Sequence, residues 1–91
     1  LEGRRGYAAC VPHDFASDVG NAMSQRSPDA FGFTWCATDD GQQIRGSWRT
    51  APGQTPVIGL AASFGGGGHP NAAGAIISFE QLQQILRTSL K

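Results

Sequence analysis

Four consecutive glycines followed by a histidine, at residues 65–69, have the residue types and spacing of a ligand-binding loop. Glycine has no Cβ, so the backbone of such a run can come close to a ligand. Successive amides in a glycine turn can also form a concave nest that binds oxyanions. Glycine runs occur in flexible linkers too. The flanking segments 57–62 and 72–77 are apolar, which favours a functional loop between two core elements.

Other polar side chains could complete a phosphate site. His69 can donate a hydrogen bond to a phosphate or become charged beside it. Arg49 offers the planar guanidinium fork that matches phosphate bidentately, and Ser47 and Thr50 add hydroxyl groups next to it. This site requires the strand of Arg49 to lie beside the glycine loop. Without that loop, a single histidine is more often structural and a strand arginine is usually solvated.

Hydrophobic periodicity predicts helices that alternate with strands. An apolar run over 6–11 predicts a buried strand, and alternation over 31–38 and 42–50 predicts a hairpin around the Asp-Gly turn at 39–41. The apolar segment 72–77 predicts a central strand. The element order β-α-β-β-α-β-α indicates an α/β domain, in which three helices pack on a mixed sheet of about four strands.

The second strand of the hairpin is expected to have one apolar and one polar face, because successive side chains point to opposite faces. The apolar set is Ile44, Gly46 and Trp48, and the polar set is Arg45, Ser47 and Arg49.

The first helix is expected to start at Asp14 as N-cap and to end at 27–29. Its predicted apolar face consists of Phe15, Val19, Ala22 and Met23. A polar stripe, which usually faces water, consists of Ser17, Asp18 and Asn21. Gly20 inside this helix costs about 1 kcal/mol relative to alanine, which favours either close packing or the approach of a ligand. His13 is more typical of a residue at the start of a helix than of a ligand.

The second helix is expected to begin at Thr55 and Pro56 and to end at Gly65 in a left-handed conformation. Its apolar face is Val57, Leu60, Ala61 and Phe64. The third helix is expected to begin with a capping box over 78–81. Its apolar positions are Leu82, Ile85, Leu86 and Leu90.

Composition limits the function classes. The 91 residues include seven basic and seven acidic ones, and this neutrality disfavours a broad nucleic-acid footprint. No apolar run approaches the ~20 residues of a membrane-spanning helix. Cys10 and Cys36 lie in predicted strands, which favours buried free thiols over a disulfide. The two histidines are far apart and lack clustered carboxylates, so no metal site is expected.

Familiar nucleotide-binding loops fit poorly. A P-loop needs Gly-Lys-Ser/Thr after its glycines, whereas His-Pro-Asn follows here. A dinucleotide fingerprint needs a strand before the glycines and a helix after them, and the predicted order is the reverse. No nucleophile-elbow pattern occurs either.

From residue 65 to residue 74 the sequence closely resembles the GGGH-x-x-AAG signature of the DHH-associated C-terminal domain of the DHH (Asp-His-His) phosphoesterases. Ser47-Trp48-Arg49-Thr50 resembles the Ser-Leu-Arg-Ser strand of that family, with Trp for Leu and Thr for Ser. The segment 17–22 resembles its Ser-Glu-x-Gly-x-Ala helix. The superfamily includes nanoRNases, pAp phosphatases, exonucleases and cyclic-dinucleotide phosphodiesterases.

The resemblance implies a two-domain enzyme. An N-terminal DHH domain would hold manganese and hydrolyse the substrate, while the C-terminal domain would grip the phosphate and nucleotide. No Asp-His-His segment occurs in this sequence, so the resemblance implies no catalytic residue and no metal ligand here. The glycine amides would bind phosphate, with His69 and Arg49 in contact with it. The expected substrate-binding residues are Ser47, Arg49, Thr50, Gly65, Gly66, Gly67, Gly68, His69 and Asn71.

The expected partners are a short oligonucleotide or nucleotide phosphate, the DHH domain of the same protein and, as an option, a second copy of the chain. The expected localisation is the cytoplasm. The chain begins Leu-Glu-Gly-Arg-Arg and its one methionine is Met23. We therefore expect a C-terminal piece of a longer protein, with a linker or cloning remnant at 1–5 and the substrate-binding domain at 6–91. The alternative is a non-catalytic RNA-binding module like the related domain of alanyl-tRNA synthetases, which the neutral charge disfavours.

Overall fold

The computed structural model describes residues 5–26, 30–51 and 53–89. Over these residues the chain forms five strands, three α-helices and one short 3-10 helix. The strands are β1 (Gly6–Cys10), β2 (Phe31–Ala37), β3 (Ile44–Arg49), β4 (Gly67–His69) and β5 (Ala72–Ile77). The helices are the 3-10 helix His13–Phe15, α1 (Ala16–Ser24), α2 (Ile58–Ala62) and α3 (Phe79–Ser89). The predicted α/β class is confirmed, with one strand more than expected.

The strands form one mixed sheet in the order β1-β2-β3-β5-β4. β1 is parallel to β2, and the other neighbouring pairs are antiparallel. β1 therefore lies at one edge of the sheet. It ends at Cys10 and is half-buried over most of its length, so the strand predicted over 6–11 is confirmed but its predicted burial was wrong.

The additional strand, β4, lies in the glycine run that was expected to be a loop. Its three residues pair with 72–74 of β5 across a two-residue connection at Pro70 and Asn71. Glycine has a low intrinsic preference for strands, so the sequence of the run does not signal this element. The neighbouring strand β5 supplies the pairing.

The β2–β3 hairpin has the two faces expected from alternation. In β3 the residues Ile44, Gly46 and Trp48 are buried, while those between them are half-buried. The connection covers 38–43 and is longer than a tight Asp-Gly turn. In it the Thr38 hydroxyl donates to Asp40 Oδ1 at 2.6 Å, and the Gln42 amide donates to the same oxygen at 3.0 Å. These bonds, that of Thr38 foremost, lower the pKa of Asp40 below its ordinary value.

The core lies between the apolar face of the sheet and the helices α2 and α3. Trp48 is at its centre, 4.8 Å from Phe33 and 5.8 Å from Phe64 between ring centroids. The core also includes buried aliphatic residues of both helices and of β3 and β5: Ile44, Val57, Leu60, Ala61, Ala73, Ala75, Ile77, Leu82 and Ile85. The predicted apolar faces of α2 and α3 are thus confirmed, except at Leu90, which is outside the described residues.

Helix α1 packs on the opposite, polar face of the sheet. It contacts β1, β2 and β3. The residues that it buries are Ala16, Gly20 and Ser24, and the face predicted from apolar spacing was wrong. Phe15 is 57% exposed. The helix comes so close to β2 that a Cβ on Gly32 would lie 2.1 Å from the Gly20 carbonyl oxygen, and such contact selects small residues rather than apolar ones.

Two of the predicted helix starts were wrong, and one was confirmed. Asp14 lies in the 3-10 helix, α1 follows Phe15, and the described residues supply no side-chain hydrogen bond to cap it. Helix α2 follows Val57, so Thr55 and Pro56 precede it. Helix α3 has the capping box: the amides of Ser78 and Gln81 each donate to the side chain of the other, at 2.9 and 3.1 Å.

Gly65 follows α2 with a φ of +80°, which confirms the predicted left-handed stop. The predicted end of the first helix at 27–29 lies outside the described residues.

Both cysteines are free and lie in strands, as expected, but neither is buried. Cys10 is exposed and Cys36 is half-buried. Over the described residues, no helix is long and apolar enough to cross a membrane.

Candidate functional site

Helix α1 covers only part of the polar face of the sheet, and the remaining part forms a cavity of about 520 Å³. Its floor consists of β3 and β5, with Ser47 and Arg49 among the lining side chains. Gly65 and Gly66 line one side, and His13 of the 3-10 helix lines another. The polar strand and the glycine run thus border one space, as the predicted site requires.

The strand register places Arg49 and His69 on one face. Ala72 of β5 pairs with Arg49 on one side and with His69 on the other, and directly paired residues of neighbouring strands share a face. Two interstrand spacings put the Arg49 and His69 backbones about 10 Å apart. One step along the strands, Ser47, Gly74 and Gly67 form a parallel row, whose two glycines leave the floor open.

The Arg49 side chain passes beneath α1 before it lines the cavity. A Cβ on Gly20 would lie 2.7 Å from Arg49 Cγ, so the helix packs directly on the aliphatic part of this side chain. Arg49 Nε is buried and has no hydrogen-bond partner among the described residues. An unsatisfied buried donor on a cation is costly, and it calls for an explanation such as an absent ion. Of the two alternatives predicted for Gly20, close packing is confirmed.

The glycine run differs in detail from a simple amide nest. The Gly65 amide donates to the Ala62 carbonyl at 3.0 Å, and the Gly66 amide donates to the Ala61 carbonyl at 2.9 Å. Both amides therefore cap the end of α2. Gly67, Gly68 and His69 are exposed in β4, and an edge strand leaves part of its backbone donors unpaired. Gly65 and Gly66 line the cavity but use their amides within the fold, whereas the residues of β4 are exposed and are not among those that line the cavity.

Thr50 and Asn71 are bound to each other. The Asn71 side-chain amide donates to Thr50 Oγ1 at 2.9 Å and to the Ala51 carbonyl at 3.1 Å. The Thr50 amide donates to the Asn71 carbonyl at 3.0 Å, and Thr50 is only 3% exposed. These contacts attach the β4–β5 turn to the end of β3. In this structure the pair fixes the position of His69 relative to Arg49.

Two cationic or imidazole side chains of the cavity were not among the expected site residues. Arg45 lines the cavity from the polar face of β3, and His13 lines it from the start of the helical segment. Alternation with Ser47 and Arg49 was the sequence signal for Arg45. Nothing in the sequence indicated that His13 would line this cavity. Within the described parts of the chain, neither Arg45 nor Arg49 has an ion-pair partner.

A family model for the DHHA1 domain matches residues 15–90. The chain belongs to the DHHA1 domain family. DHHA1 is an accessory domain of the DHH-family phosphoesterases and is normally paired with an N-terminal DHH domain. The match covers α1, β3 and the glycine run, and confirms the resemblance at the level of the family. A comparison with curated proteins finds no match.

The described residues of this DHHA1 domain do not fit a manganese site. Among them, no three His, Cys, Asp or Glu side chains are close enough together to hold a metal ion. The chemistry of the cavity is that of guanidinium, imidazole, hydroxyl and backbone amide groups, which bind anions. No hydrolytic step is assigned to these residues.

Proposed function

We propose that this DHHA1 domain grips a phosphate of a short oligonucleotide or small nucleotide on behalf of a DHH-family phosphoesterase. The observation that supports this most strongly is Arg49, which is among the residues that line the cavity and whose buried Nε has no partner among the described residues. A bidentate phosphate would satisfy this guanidinium. Ser47 lines the same cavity and can add a hydrogen bond to the anion. His69 lies on the same face of the sheet, in the edge strand, but is not among the residues that line the cavity.

The surroundings of Arg49 prepare it for this role. Contact with Gly20 restricts the aliphatic part of its side chain, so less rotamer entropy is lost when an anion binds. The Thr50–Asn71 contacts fix the turn after His69. The small residues of the floor, Ala72 and Gly74, leave room for a phosphate to reach Ser47. These residues bind and orient the substrate, and the chemistry belongs to the partner domain.

The binding test uses inorganic phosphate and adenosine monophosphate, titrated into the chain by NMR or calorimetry. We expect Arg49→Gln to weaken both ligands by roughly ten- to a hundredfold, since a charged hydrogen-bonded contact contributes about 1.5–3 kcal/mol. The matched control is Arg87→Gln, which removes the same charge from the exposed last turn of α3 and should change neither affinity. Equal binding by wild type and Arg49→Gln would refute the proposal.

A second measurement separates the accessory role from the alternatives. We expect no manganese-dependent hydrolysis of pAp or a dinucleotide by this chain alone, and clear turnover would contradict an accessory role. An RNA-binding module would instead bind long RNA with a steep salt dependence. The chain has a net charge of zero, so we expect a shallow dependence that reports a few phosphate contacts.

A further inference from the structure

The cavity extends along β3 well beyond Arg49. Arg45, Ser47 and Arg49 lie on one face because alternate residues of a strand share a face, and all three line the cavity. Arg45 and Arg49 are separated by four residues of extended chain, which span about 13 Å. The floor of the cavity therefore has Arg45 at one end, Arg49 at the other and the hydroxyl group of Ser47 between them.

The Arg45 end has its own set of neighbours. His13 lines the cavity. It follows the end of β1, where Cys10 pairs with Trp35 and Trp35 pairs with Gly46, so it begins at the Arg45 end of the sheet. Ile76 pairs with Arg45 across the β3–β5 ladder. Ile76 is 47% exposed and adds an apolar surface to the wall. Arg45 is half-buried and has no ion pair within the described residues. Asp14 follows His13 in the chain but is exposed and is not part of the cavity wall that the described residues form.

We propose that Arg45 and His13 form a second anion subsite, which binds a phosphate of the same oligonucleotide several nucleotides away from the phosphate at Arg49. This inference rests on the proposed function, because it assigns the first phosphate to Arg49. A guanidinium and an imidazole both donate hydrogen bonds to phosphate oxygens. Ile76 provides a surface for the sugar or base that lies between the two phosphates.

The separation of the Arg45 and Arg49 backbones gives the scale of the ligand's length. A stacked strand places one phosphate about every 3.4 Å along its axis, so about 13 Å corresponds to roughly four steps, and to fewer in an extended strand. A mononucleotide is too short to occupy both ends. The subsite therefore favours oligonucleotides of about three to five nucleotides over nucleoside monophosphates.

The test is a length series of 5′-phosphorylated oligoadenylates, from one to five nucleotides, titrated into the wild-type chain and two variants. For the wild type we expect affinity to rise about five- to tenfold once the ligand spans both ends. Arg45→Gln should abolish that rise, so that it weakens the pentanucleotide by a larger factor than it weakens adenosine monophosphate. Arg49→Gln should weaken every length, the shortest included.

A second readout locates the contact directly. In NMR spectra, the amide signals of His13 and Ile76 should shift with the pentanucleotide at lower ligand concentrations than with adenosine monophosphate. Circular dichroism of each variant checks that it is folded. His13→Gln should reduce the length-dependent gain by a smaller factor than Arg45→Gln.

Three results would overturn the subsite, and they are distinguishable. If Arg45→Gln weakens the monophosphate and the pentanucleotide equally, Arg45 belongs to the first site. If Arg45→Gln changes nothing while Arg49→Gln weakens all lengths, the subsite fails and the proposed function stands. If the wild-type chain binds neither phosphate nor any oligoadenylate, the proposed function fails first and the subsite with it.

Discussion

Replacement of Gly20 by alanine tests the contact between Gly20 of α1 and the Arg49 side chain, which contributes both to the packing of α1 and to the position of Arg49 in the site. In a helix interior this change usually stabilises by about 1 kcal/mol. Here the new Cβ would lie 2.7 Å from Arg49 Cγ and 3.1 Å from Arg49 Cβ. Overpacking of this kind costs about 1–3 kcal/mol. Rotation of the distal side chain gives no relief, because the contacts are with its first two carbons. We expect a net loss of about 0–2 kcal/mol in the free energy of unfolding.

A double-mutant cycle separates the two effects. Arg49→Ala removes Cγ, the closer contact, so Gly20→Ala in that background should recover part of the helix gain. We expect a coupling energy of about 1–2 kcal/mol between the two positions, within the range for residues in contact. Urea unfolding followed by the fluorescence of Trp35 and Trp48 measures each corner of the cycle. If Gly20→Ala changes stability equally in both backgrounds, the steric explanation is refuted.

The same substitution should also weaken phosphate binding in the otherwise wild-type chain. To relieve the contact, Arg49 must leave the rotamer in which its guanidinium lines the cavity. Loss of affinity without unfolding is therefore the expected signature, and it should disappear in the Arg49→Ala background.

Two further predictions concern local hydrogen bonds outside the site. The Thr38 hydroxyl lowers the pKa of Asp40. The Asp40 carboxylate therefore stabilises the fold at any pH above the pKa that Asp40 has in the unfolded chain. This stabilisation is lost as the pH falls through the lower pKa that Asp40 has in the folded chain. Carboxyl NMR titration should place its midpoint below 3.8, and a midpoint at or above that value would contradict the assignment. Ser78→Ala removes the reciprocal cap of α3 and should lower the free energy of unfolding by about 1 kcal/mol. Urea unfolding checks this, with Ser78→Thr as the control that keeps the hydroxyl.

The elements with a strong local pattern could be predicted from the sequence. Alternation at 44–49 gave both faces of β3, and the residues of the capping box gave the start of α3. Strand β4 could not be predicted, because its glycines have no strand preference of their own and the strand exists only through its pairing with β5. The buried face of α1 was missed for a related reason. Gly20 packs against a second backbone, and such a contact produces no hydrophobic signal.

The part of the candidate site that lies on β3 could be predicted from the sequence. Ser47 and Arg49 followed from alternation, and their nearness to His69 then depended on the strand order, which no local pattern gives. The sequence also could not show that the amides of Gly65 and Gly66 would be used to end α2. The four glycines are identical in sequence, but the first two cap the end of α2 and the last two form part of the edge strand β4.

Trp48 links the candidate site to the hydrophobic core, although Trp48 itself is not a residue of the site. It lies between Ser47 and Arg49 in sequence but points to the opposite face, where it contacts Phe33 and Phe64. Its indole Nε1 is buried without a partner among the described residues, a cost of about 1–3 kcal/mol. The buried area of the indole and its two ring contacts offset that cost. Because the core fixes this residue, it also fixes the backbone on both sides of it, and Ser47 and Arg49 are held in register with β5 before any ligand arrives.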